Sequence, residues 1–347
     1  TASFIRYCYP TKTGSPRRTS SAVSIMRIAV MGAGGVGACL GARLIQVGAD
    51  VTLVARGEHL KAMQRNGLRL IQANGYLTVP VKATDDPCEV GPMDLVLLAV
   101  KTYHIPEAAH AMDPIIGPKT QIVTLQNGVD SADGLAELFG PDRVLPGTSY
   151  TIASIASPGV IKQQSKTARI IFGRADGQIT LEAEAVQDCL TPAIDAELTG
   201  DIASVLWSKF LLTAPGNAIN ATSRVPITRL IQTDEGRDLL VRAMEEVAAV
   251  GLANGVNIDP EAIPKGIKFM ESLPQDQRMS MLDDIEAGRP LELNAQAGAV
   301  VRTESQEFVY EDNRFEWFTV VEDLITVYYY GEYVEDRAHV VLEAAKA

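Results

Sequence analysis

The chain has 347 residues, 46% apolar and 21% charged, the make-up of a soluble globular protein long enough to bury two cores. A net charge of -12 excludes a nucleic-acid surface and a polybasic membrane anchor, because both need clustered positive potential. Four cysteines (Cys8, Cys39, Cys88, Cys189) without CxxC spacing and four unclustered histidines (His59, His104, His110, His339) suggest neither a disulfide framework nor a metal site, and fit a reducing cytoplasm.

Residues 1–25 carry Arg6, Lys12, Arg17 and Arg18, many Ser and Thr, and no acid, which is the composition of an organelle transit peptide. The preferred reading is plainer: Met26 starts the first strand without a spacer, so 1–25 reads as an extension with no role in the fold. The apolar run Ile28-Ala29-Val30 then enters Gly32-Ala33-Gly34-Gly35-Val36-Gly37, followed by a helix over 38–47 and a second strand over 51–55. This is the context that gives a GxGxxG turn its meaning. Gly32 permits the tight turn, Gly34 lets backbone N–H groups approach a pyrophosphate, and Gly37 lets the helix pack on the strand; the positive N-terminus of that helix faces the phosphates. The competing reading is a glycine loop used only for packing.

An NAD site usually places Asp or Glu at the end of the second strand, for the ribose 2′-hydroxyl. Here the strand ends Val54-Ala55-Arg56-Gly57, with no carboxylate at its tip. Arg56 can pair with a 2′-phosphate, which favours NADPH; a solvated surface arginine is the alternative.

A helix is expected over 58–66, short strands near 68–71 and 76–79, and a strand over 94–100 whose unbroken apolar run belongs to a parallel sheet buried on both faces. A further strand over 121–125 ends in Gln126-Asn127-Gly128. Lys101 and Asn127 therefore stand at strand C-terminal ends, where open α/β sheets bind ligands. Strands are also expected over 144–150, 159–163 and 168–172, and a helix over 181–194. From about 202 to 299 the apolar spacing becomes helical. The fold class expected is thus an α/β Rossmann-type domain over 26–200, binding NADP, followed by an all-α domain over 201–347 for substrate binding and dimerisation. No stretch would span a bilayer; the nearest, 28–49, is broken by glycines and Arg43.

In the second half, Trp207-Ser208-Lys209-Phe210 precedes Thr213 and Asn217, which share a helix face with Lys209, drifting by roughly 40° per step. Ser280-Met281-Leu282-Asp283-Asp284-Ile285 and Glu292 lie around a stop and restart at Gly288 and Pro290. A lysine, a glutamate, a serine and amides beside a nicotinamide suit reduction of a 2-oxo acid: the alkoxide needs a proton donor and the carboxylate needs anchoring. Each alone also reads as a surface group.

Taken together, these ordered motifs resemble the ketopantoate reductase (2-dehydropantoate 2-reductase) family over roughly 26–300: the GxGxxG turn, Arg56, Lys101 after LLAV, Asn127 in QNGV, Trp207-x-Lys209, and SML-x-DI with Glu292 following. The resemblance implies NADPH-dependent reduction of 2-dehydropantoate to pantoate in pantothenate biosynthesis. It implies that Lys209 is the general acid and Glu292 the catalytic carboxylate, also near the cofactor. Asn127, Thr213, Asn217 and Ser280 would hold substrate. Gly32, Gly34, Gly35, Val36, Gly37, Arg56, Lys101, Asn127 and Ala153 would contact NADPH.

The chain departs from that pattern in several places. Thr213 stands where the family often has Asn, Ala297 where an Asn-Gly pair is common, and Pro215-Gly216 is expected to interrupt the helix, so that Asn217 or Asn220 could be the amide facing substrate. Residues 303–347 do not align; a divergent helix pair, an interaction tail and a frame-shifted sequence all fit. Two other functions stay open: a paralogous reductase of another branched or aromatic 2-oxo acid, and a redox-sensing NADP-binding protein without turnover. The partners expected are a small-molecule 2-oxo acid and, as an open alternative, a second copy of the chain in a homodimer.

Overall fold

The computed structural model describes residues 26–304, 317–322 and 325–330; the transit-peptide reading of 1–25 lies outside them. The chain enters on β1 (Arg27–Met31), α1 (Gly35–Gln46), β2 (Asp50–Val54) and α2 (Gly57–Asn66), then β3 (Leu68–Gln72), β4 (Gly75–Val79), β5 (Lys82–Thr84), β6 (Met93–Leu98), α3 (Ile105–Met112) and β7 (Ile116–Thr124). It continues through α4 (Asp133–Phe139), β8 (Val144–Leu145), β9 (Gly147–Ser149), β10 (Ala153–Ser157), β11 (Val160–Gln163), β12 (Arg169–Phe172), α5 (Leu181–Leu190) and β13 (Asp195–Leu198). Helices follow: α6 (Ile202–Ser223), α7 (Ile227–Leu230), α8 (Asp234–Ala253), α9 (Ala262–Glu271), α10 (Ser280–Glu286) and α11 (Ala297–Glu304).

The main sheet is six-stranded and parallel, in the order β5-β2-β1-β6-β7-β8. Its direction of strand addition reverses between β1 and β6, which opens a crevice at their C-terminal ends. Alternation within each strand feeds two cores. Ile28, Val30, Leu95 and Leu97 pack on one face, and Ala29, Met31, Val96 and Leu98 on the other, so the unbroken apolar runs are needed on both sides. Smaller sheets, β10-β11-β3-β4 and β13-β12-β9, flank this core.

Four local expectations are corrected. The strand expected over 144–150 is cut at Pro146, which has no N–H for a ladder, and its halves join different sheets. The helix expected over 181–194 stops at Leu190, capped at its start by Thr180 Oγ1, which accepts from Ala183 N–H. The short strands β5, β10 and β13 were not expected: β5 and β13 gain their ladders from strands distant in sequence, and β10 from a hairpin with β11. Finally, α6 is not interrupted: Pro215 lies inside one helix that runs from Ile202 to Ser223. A proline inside a helix costs about 3 kcal/mol. Packing offsets it, since Phe210, Leu211, Ala214, Pro215 and Gly216 are all buried and Gly216 lies against Met270 and Met279.

The described residues up to Ala299 form one compact unit, and those from Val300 onward belong to a second. Within the second, β14 (Trp317–Glu322) pairs antiparallel with β15 (Ile325–Tyr330), Trp317 opposite Tyr330. That corrects the helical reading there. The run of aromatic and β-branched residues favours a pleated ribbon over a helix.

Candidate active site

The glycine turn sits where β1 meets α1. Gly32 has φ +97°, and a Cβ there would lie 2.8 Å from Val100 N, so only glycine allows the turn to pass this close to the end of β6. Gly34 is different. Open space surrounds the position of its missing Cβ, whereas a Cβ on Gly35 would lie 2.2 Å from the Ala153 carbonyl oxygen and one on Gly37 2.3 Å from that of Gly32. The turn is therefore clamped at Gly32, Gly35 and Gly37 and open at Gly34, with Val36 partly buried beside it. Ala153, expected at the cofactor, is what Gly35 packs against.

Lys209 projects from α6, anchored by the buried Trp207 and Phe210, whose rings meet edge-on at 5.6 Å. Its Nζ donates to Asn127 Oδ1 at 3.0 Å and to the Ser149 carbonyl at 2.8 Å, and lies 5.7 Å from the centre of the Tyr150 ring. Thus α6 delivers its ammonium to the C-terminal ends of β7 and β9. Burial pushes the Lys209 pKa down to about 8, partly opposed by the negative charge of Glu292.

Glu292 acts on Lys209 through charge, while its hydrogen bonds go elsewhere. Its Oε2 accepts from Lys101 Nζ at 3.1 Å and its Oε1 from Thr102 N–H at 3.0 Å. Lys101 also donates to Asp284 Oδ2 at 2.8 Å, and Asp284 accepts from Arg289 Nε at 2.8 Å. Burial works against the Lys101 charge, but Glu292 and Asp284 outweigh it and hold its pKa above the ordinary lysine value. Two lysines of one cleft are thereby driven in opposite directions. Sequence reasoning assigned no role to Asp284 or Ser149. The signal for Asp284 was slight: it stands three residues after the apolar Met281 on α10, and in the structure both are buried. Ser149 acts through its backbone, for which no side-chain signal exists.

The other expected residues fall into three places. Thr213 donates its hydroxyl to the Lys209 carbonyl at 3.2 Å, a bond within α6. Asn217 and Asn220 are both buried and both hold the chain leading into α10: Asn217 Oδ1 accepts from Met281 N–H at 3.0 Å and from Ser280 Oγ at 3.4 Å, and Asn220 Oδ1 accepts from Met279 N–H at 2.8 Å. Arg56 is exposed at the end of β2 and pairs with Glu107 at 3.0 Å. The expectation that no carboxylate reaches this strand tip is therefore corrected, because α3 brings one from beyond β6. Gln126, one residue before Asn127, ties the end of β6 to β7 through Nε2, donating to Leu98 O at 2.9 Å and Val100 O at 3.1 Å.

Among the described residues no group of His, Cys, Asp and Glu could hold a metal ion, Cys39, Cys88 and Cys189 are free thiols, and no helix is long and apolar enough to cross a membrane.

Residues 28–177 match the family model described as ketopantoate reductase PanE/ApbA, and residues 201–306 match the model of its C-terminal part. A 2-dehydropantoate 2-reductase of Mesorhizobium japonicum is 32% identical over 301 residues, covering 79% of this chain and 90% of that protein. An uncharacterized oxidoreductase of Bacillus subtilis, YkpB, is 27% identical, covering 77% of this chain and 88% of that protein. The crystal structure of 2-dehydropantoate 2-reductase from Geobacter metallireducens superposes with a TM-score of 0.77 at 32% identity, covering 81% of this chain and 94% of the other.

Proposed function

Because the chain belongs to the ketopantoate reductase family, we propose that it reduces 2-dehydropantoate to pantoate with NADPH, the reductive step of pantothenate biosynthesis. The observation that carries the reading is Lys209: an ammonium held by Asn127 and Ser149 at the sheet's C-terminal edge, with its pKa lowered to about 8. The residues fit a dinucleotide. The open side of Gly34 leaves room for a pyrophosphate over the start of α1, and Lys101 stands three residues past the end of β6, the strand that flanks the turn. Arg56 would meet the 2′-phosphate in competition with Glu107.

A reduced nicotinamide held there would supply the hydride that the carbonyl carbon of the 2-oxo acid accepts. Lys209 gives a proton from Nζ to the carbonyl oxygen, so that the C=O bond becomes CH–OH with one hydride and one proton added. Asn127 and the Ser149 carbonyl aim that ammonium. Glu292 favours its charged form, and Ser280 on α10 would touch the acid. The test is a panel: purified protein should oxidise NADPH with 2-dehydropantoate, and far more slowly with pyruvate, 2-oxoisovalerate or phenylpyruvate. NADPH binding with no turnover on any member would overturn the reading in favour of a sensor.

Two outcomes follow directly. A general acid must hold its proton, so kcat/KM should be level below the Lys209 pKa and fall about tenfold per pH unit above pH 8, since that parameter reports the free enzyme. A flat profile from pH 6 to 10 would remove Lys209 from the proton transfer. Gly34→Ala puts a methyl group into open space, so the melting temperature should hold while NADPH affinity drops by about tenfold or more, the size of an overpacking penalty. Calorimetry and a fluorescence titration separate the two effects.

A further inference from the structure

Gln296 lies in the turn before α11 and is 1% exposed, as is Asn217 on α6. Asn217 Nδ2 donates to Gln296 Oε1 at 2.8 Å, so Gln296 at one end and the Met281 N–H at the other hold the Asn217 amide in one orientation. Its oxygen is therefore turned toward α10, where it accepts from Met281 N–H at 3.0 Å and Ser280 Oγ at 3.4 Å. An amide oxygen has two acceptor sites and no proton to give. Both sites are filled, and at this bond Ser280 can only be the donor.

Ser280, unlike the two amides, is exposed. With its proton directed at Asn217, its oxygen offers lone pairs outward and meets a ligand as an acceptor. A carboxylate has no proton for such a group; a hydroxyl has one. Were the Asn217 amide flipped, its NH₂ would free the serine proton for an anionic ligand and leave the Met281 N–H without its acceptor.

We propose that Gln296, Asn217 and Ser280 form a relay that makes Ser280 a hydrogen-bond acceptor, selecting 2-oxo acids that carry a hydroxyl group, with Gln296 as the positioning residue. The inference deepens the proposed reduction and rests on it. Sites built to bond a substrate hydroxyl reject the analogue that lacks it, because their own polar group is then left unpaired.

The experiment compares 4-hydroxy-3,3-dimethyl-2-oxobutanoate (2-dehydropantoate) with 3,3-dimethyl-2-oxobutanoate, the same skeleton without the hydroxyl. Wild type should prefer the first in kcat/KM. Gln296→Leu, of similar volume, should cut that preference about tenfold through KM for the hydroxylated acid, leaving the second acid nearly unaffected. Gln296→Glu keeps an acceptor and should retain the preference. Ser280→Ala should lose it as well, and Gln296→Leu should then add nothing, since two residues acting through one contact are not additive. An unchanged preference in Gln296→Leu, or additive losses, overturns the relay while leaving the reductase standing. Turnover of neither acid by wild type overturns both. Hydrogen exchange at the Met281 amide reports the relay without turnover: faster exchange in Gln296→Leu with the melting temperature preserved is expected, and unchanged exchange counts against it.

Discussion

Lys209→Ala is expected to lower kcat by about 10²–10⁴-fold, the usual worth of a positioned general acid, while NADPH affinity stays close to wild type. The separation follows from placement. Lys209 reaches Asn127 and Ser149 from α6, whereas the glycine turn is clamped by Val100 and Ala153, which are untouched by the change. Lys209→Arg is the sharper companion. A guanidinium stays protonated throughout the usable pH range, so it can fill the same acceptors and still fail to release a proton. Activity should stay low, and the decline above pH 8 should vanish. Steady-state kinetics from pH 6 to 10 with a parallel fluorescence titration decides it; equal loss of turnover and cofactor affinity would mean that Lys209 serves binding.

Asp284→Ala is expected to cost about 2 kcal/mol of stability, between the worth of an exposed ion pair and that of a buried one. Asp284 is 5% exposed, but its partners are not enclosed: the Lys101 side chain is 37% exposed and that of Arg289 54%. Water can therefore recover part of the loss. The melting temperature should fall by about 5 °C. The kinetic effect should lie in the KM for NADPH, because Lys101 would keep Glu292 alone and swing toward it. Asp284→Glu should recover more of the binding than Asp284→Asn does, since the second restores shape without charge. An unchanged melting temperature in Asp284→Ala would show the pair to be idle.

The sequence made the parallel sheet legible because strands such as 94–98 must feed a core on each face, and such runs are rare outside covered sheets. The glycine turn was equally legible, since its steric demands are local. Lys209 and Asn127 were named from chain position and resemblance, and the folded chain brings Lys209 Nζ to 3.0 Å from Asn127 Oδ1. What failed to read was non-local. Glu107 reaches Arg56 from another helix, Asp284 reaches Lys101 from the far end of the chain, and neither contact leaves a trace in spacing. Pro215 misled for a related reason: its local preference to break a helix is overridden by packing that only the folded chain supplies. The ribbon at β14 and β15 was hidden by extending the helical pattern past the last residues that carry it.

The unbroken course of α6 through Pro215 makes the helix a ruler. Positions 209 and 217 are separated by about 12 Å along an axis that rises about 1.5 Å per residue. A hinge at Pro215 would have let that interval vary; a single rod makes it a constant, shared by the ammonium at one mark and the chain held by Asn217 at the other. The interval is set by counting residues along one backbone. One residue inserted between the marks would turn the second by about 100° and take it off the cleft altogether.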